Sequence, residues 1–93
     1  MNHYVGVFVH ATTGGWRALV PDLPSYEAEE GTLDRAIIRA EEFLRQVIRL
    51  GTPIPPPRPL SLIKLDQEWV STRDVDWSRS VVTMIQVRGW SVT

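Results

Sequence analysis

Four carboxylates fall close together in this chain of 93 residues, Asp66, Glu68, Asp74 and Asp76. Such a group is what two-metal phosphodiester chemistry needs to hold its divalent ions. Their setting argues against that use. They lie in "DQEWVSTRDVD", a turn-like stretch, and the first apolar run, "HYVGVFVHA", offers no acid to converge with them. A solvated loop accounts for them. The only two histidines, His3 and His10, sit on that same run. Strand alternation points them to opposite faces, so they cannot share a metal. No cysteine is present, which excludes disulfides, thiolate zinc sites and cysteine nucleophiles. No Gly-x-Ser-x-Gly elbow occurs. Asp22, in "PDLP", has the ordinary turn role of bonding nearby backbone. No catalytic residue, metal site or cofactor is expected.

The remaining conspicuous residues are aromatic. Four tryptophans is many for this length, and Trp69, Trp77 and Trp90 all follow residue 68. Trp69 and Trp77 can cap the open end of a core, whereas Trp90 is better placed for an intermolecular contact, where tryptophan is enriched. Composition bounds the rest. An apolar share of 43% and a charged share of 23% suit one globular domain spanning residues 1–93. A net charge of −1 lacks the basic surplus that phosphate binding needs, so direct nucleic-acid binding is not expected. Nine of the ten basic residues are arginine, a bias that GC-rich coding explains and that interfaces also favour. No apolar run is long enough to span a bilayer and the start has no basic signal region, so a cytoplasmic location is expected.

Elements that position these residues follow from periodicity. In "HYVGVFVHA", Tyr4, Phe8 and His10 share one face while Val5, Val7, Val9 and Ala11 share the other, an interior strand apolar on both sides. Thr12-Thr13-Gly14-Gly15 turns the chain, and "WRALV" returns as a second strand, with Trp16, Ala18 and Val20 on one face. Pro21 stops that strand, and Pro21-Asp22-Leu23-Pro24 forms a corner with Leu23 as a core anchor. "YEAE" is a short third strand at an edge guarded by glutamate. Thr32 caps a long amphipathic helix whose apolar positions run from Leu33 to Ile48, and Gly51 with Pro53 ends it. "TPIPPPRPL" carries five prolines in nine residues and reads as a stiff spacer. "SLIKLDQEWV" predicts a short helix, "STRDVDWSR" a loop, and Ser80–Val87 a last strand. The expected fold is therefore α/β (α+β): a three-stranded antiparallel meander, a main helix, a short helix, and a fourth strand. A right-handed crossover would lay that strand parallel to strand one, giving sheet order 3-2-1-4.

Several words in this order resemble the HicB-type antitoxins of bacterial toxin–antitoxin pairs. They are "YVGVFV" for the first strand, "GGW" opening the second, "PDLPSYEAEEGTLDRAIIRAEEFL" through corner, short strand and helix, and "GTPIPPP" after it. The match spans roughly residues 4 to 60, with the final strand looser. Ser25-Tyr26 stand where the family commonly has Gly-Cys. The resemblance implies a HicB-like domain of partial ribonuclease-H-like fold. It also implies a partner, a small HicA-type mRNA interferase whose active-site histidine the antitoxin blocks by direct contact. Many members add a DNA-binding module. Only "RGWSVT" follows Val87 here, so no C-terminal DNA-binding domain is expected.

The residues alone also point to association. One helix covers one face of a four-stranded sheet, which would leave Tyr4, Phe8 and Trp16 on an open side as an interaction surface. With Tyr26 and Trp90 they form the expected partner or oligomer interface. Two readings stay open. One is an antitoxin-like inhibitor of a HicA-type toxin. The other is a solitary homo-oligomeric module, dimer or tetramer, with a structural or ligand-binding role.

Overall fold

Alternation in the first apolar run builds the centre of the molecule. A computed structural model of the chain describes residues 3–23 and 25–86. Strand β1, His3–His10, pairs antiparallel with β2, Trp16–Leu19, and β2 pairs antiparallel with β3, Glu27–Glu30. The hairpin turn is closed by the Gly14 amide donating to the Ala11 carbonyl, with Gly14 at φ 104°, a conformation that glycine adopts without strain. The corner is two consecutive turns, Leu23 N–H to the Val20 carbonyl and Tyr26 N–H to the Leu23 carbonyl.

Helix α1, Leu33–Arg49, begins as its sequence predicts: the Thr32 hydroxyl accepts from the Arg35 amide, and Asp34 sits in the first turn. It ends in a Schellman motif, with Gly51 N–H bonded to the Ile48 carbonyl, Thr52 N–H to that of Val47, and Gly51 at φ 74°. Ala36, Ala40 and Leu44 form its buried stripe. The two alanines let the helix approach the sheet closely, over the large side chains of Tyr4, Phe8 and Ile85. Gly6 makes room for the Phe8 ring and the Ile85 side chain. A Cβ there would lie 2.7 Å from Ile85 Cδ1 and 2.8 Å from Phe8 Cε2.

The other face of the sheet is covered as well. Helices α2, Leu60–Lys64, and α3, Gln67–Thr72, with a 3₁₀ turn at Trp77–Arg79, lay Ile63, Trp69 and Val75 over Val5, Val7, Val9 and Leu19. Where the sequence predicts one helix there are two. Leu65 closes α2, and the Asp66 carboxylate caps α3 by accepting from the Trp69 amide.

Strand β4, Ser80–Gln86, completes the sheet in the expected order β3-β2-β1-β4. Its direction corrects the expectation. It runs antiparallel to β1, from Val9 opposite Ser80 to His3 opposite Gln86. The cause is the second layer. Helix α1 delivers the chain to the end of the sheet where β1 starts, and there the Tyr4 hydroxyl donates to the Pro55 carbonyl. Residues 60–79 then travel back across the far face. Arg17 donates to the carbonyls of Arg73 and Asp74, and Arg79 donates to that of His10, fixing this segment to the opposite end. A strand that starts there must descend. Read as helix plus loop, residues 61–79 supply no such return, and a parallel strand follows.

Candidate functional site

Three of the four acidic residues have local roles. Asp66 caps α3, and Asp76 accepts from the backbone amide and hydroxyl of Ser78, which holds its carboxyl below the usual aspartate range. Asp74 takes the left-handed conformation at φ 53°, which aspartate tolerates better than most residues. Among the described residues, no three histidine, aspartate or glutamate side chains gather as a metal-holding group. His10 is exposed and stacks on Trp16 with ring centroids 4.6 Å apart.

The expected interface residues divide. Tyr4 and Phe8 are 1% and 0% exposed and pack under α1, so the uncovered side that would have displayed them does not exist. One helix alone would cover one face of the sheet, whereas residues 60–79 supply a second cover. Trp69 and Trp77 belong to that cover; Trp69 is buried and Lys64 Nζ lies 5.3 Å from the Trp77 ring centre. Trp16 remains half-buried beside His10. Tyr26, also half-buried, stacks on Phe43 with centroids 4.3 Å apart. Its hydroxyl is enclosed without a hydrogen-bond partner, and burial pushes its pKa up, with Arg39 opposing and Glu30 adding to the rise. Trp90 lies outside the described residues.

What the structure assembles instead is the junction between corner and proline segment. Asp22 is 5% exposed and accepts two bonds from one residue, 2.8 Å from the Arg58 amide and 2.5 Å from Arg58 Nε. The guanidinium also reaches Asp66, at 3.4 Å. These bonds, Asp22 first, hold the Arg58 proton more firmly than usual. Asp22 therefore ties down a segment 36 positions away rather than its own turn. The signal was present in the sequence as the one basic residue inside a proline run. Beside the junction opens a cleft of about 590 Å³, walled by Pro21, Pro55 and Pro56 and lined also by Trp69, Arg73 and the exposed Glu68. Prolines stiffen its walls, and two of its lining carboxylates, Asp22 and Asp66, are both bonded to Arg58.

Among the described residues no helix is long and apolar enough to cross a membrane. Compared with protein-family models, curated proteins and solved structures, the chain matches none.

Proposed function

We infer that the chain is an antitoxin-like protein of HicB type, acting in the cytoplasm by binding a small HicA-type mRNA interferase and occluding its active site. One observation carries this reading. Two words of the resemblance that are well separated in sequence, the Pro21-Asp22 corner and the proline run, converge on one cleft, where Asp22 binds Arg58 just after the run. The meander and α1 support the kinship with a partial ribonuclease-H-like fold, while the antiparallel β4 departs from it. The toxin's docking place is then the proline-walled cleft, with the exposed Glu68 of its lining meeting a basic partner.

The test is a native pull-down of the tagged chain from its host, followed by co-expression with whatever small protein co-elutes. A stoichiometric partner that cleaves RNA once freed, and whose growth arrest the chain relieves, is the expected result. No such partner, or arrest despite good expression of the chain, would sink the antitoxin reading. Glu68→Lys should abolish relief while leaving the fold intact. Relief undiminished by that change would remove the cleft from the proposal but leave the partner. A solitary homo-oligomeric module is the second reading, favoured by the uncharged edge that β4 gives the sheet.

A further inference from the structure

The two edges of the sheet are guarded very differently. Strand β3 is short, and three of its four residues are glutamate, Glu27 and Glu30 ion-paired to arginines and Glu29 among the charges that guard the edge. Strand β4, the opposite edge, has seven residues, Ser-Val-Val-Thr-Met-Ile-Gln, with no charge and no proline. Met84 on it is 53% exposed. An unguarded edge of this length is a template for another strand.

Its sequence also says which strand fits. Read outward from Thr83, the residues form a near-palindrome: Val82 answers Met84, Val81 answers Ile85, and Ser80 answers Gln86. We propose that the chain forms a two-fold dimer by antiparallel pairing of β4 with β4 of a second copy, centred on Thr83. In that register Thr83 meets its own equivalent, a favourable cross-strand pair, and each other apolar residue meets an apolar one. A two-fold axis perpendicular to the sheet keeps faces together. Val81, Thr83 and Ile85 stay on the α1 side, and Met84 is laid beside Val82 of the other copy, removing its exposed surface from water. Among the described residues the result is an eight-stranded sheet edged by the two short, charged β3 strands, so growth stops at the dimer. A partner in the proline-walled cleft is not required, and the dimer stands or falls apart from the toxin reading.

The test uses the full chain in sedimentation equilibrium and light scattering. The wild type is expected at twice the 10.6 kDa of one chain. Thr83→Lys and Thr83→Glu each place like charges opposite each other and should run at half the dimer mass, with circular dichroism unchanged. Mixing the two should restore the dimer. Because the chain has no cysteine, Thr83→Cys gives a clean readout: mild oxidation should yield a covalent dimer. A monomeric wild type would overturn the proposal. So would a dimer indifferent to Thr83→Lys and to Met84→Lys, the latter at a position exposed enough to spare the fold.

Discussion

The Tyr4 hydroxyl donates to the Pro55 carbonyl at 2.5 Å, while the Tyr26 hydroxyl is enclosed with no partner. The same substitution should therefore act oppositely at the two positions. Tyr4→Phe removes a made bond and should cost about 0.5–1.5 kcal/mol, whereas Tyr26→Phe removes an unpaid desolvation and should be neutral or stabilising by about 1 kcal/mol. Urea denaturation of both variants checks the pair, and equal losses would contradict the assignment. The phenols also link stability to alkaline pH. Burial raises both above the ordinary 10.0, reinforced at Tyr4 by Asp22 and modulated at Tyr26 by Arg39 and Glu30. Each phenol keeps its proton more tightly folded than unfolded. The linked stability is fully present below the unfolded value and is lost as pH rises through the raised folded values. Since Tyr4 and Tyr26 are the only tyrosines, phenolate absorbance during alkaline titration reports them alone, and both should ionise later than in urea.

At the scale of elements, the junction between the corner and the proline segment can be opened without touching a helix or strand. Arg58→Ala leaves the buried Asp22 carboxylate with only the backbone amide of residue 58 and should cost about 2 kcal/mol. Arg58→Lys should recover little, because a point charge cannot hold both Asp22 and Asp66 as the guanidinium does. By contrast, Thr32→Ala removes a single cap bond and should cost about 1 kcal/mol. Thermal melts rank the three. These elements also show how far the sequence reaches. Helix α1 was legible end to end because its determinants are local: a capping threonine, an apolar stripe and a glycine stop. The partner of Asp22 was not, because an aspartate in a turn satisfies local bonding rules equally well. Asp66 escaped notice as a cap because the apolar residues on both sides of it continue a helical pattern. Tyr4 and Phe8 were legible as apolar, but whether a strand face is open depends on every element that crosses it.

For the whole molecule, β1 is the shared wall of two cores, with Tyr4 and Phe8 facing α1 and Val5, Val7 and Val9 facing Ile63, Trp69 and Val75. The direction of β4 depends on the second of these layers, since residues 60–79 carry the chain back before the last strand begins. That layer is made of two short helices that would be marginal in isolation, so its packing on the sheet must supply its stability. A cavity cut into either layer should then weaken the entire domain. Trp69→Ala, at a side chain 7% exposed, should cost about 3–5 kcal/mol, and Leu44→Ala on the opposite side about 2–5 kcal/mol. Both should leave the urea m-value unchanged, as one cooperative unit requires. Hydrogen exchange makes the point locally. In Trp69→Ala, protection should fall in α1 and β2 as much as in α3, because all open together through β1. If α1 kept its wild-type protection while α3 lost its own, the far cover would be a separate, peelable layer, and the antiparallel β4 would be held by its ladder to β1 alone.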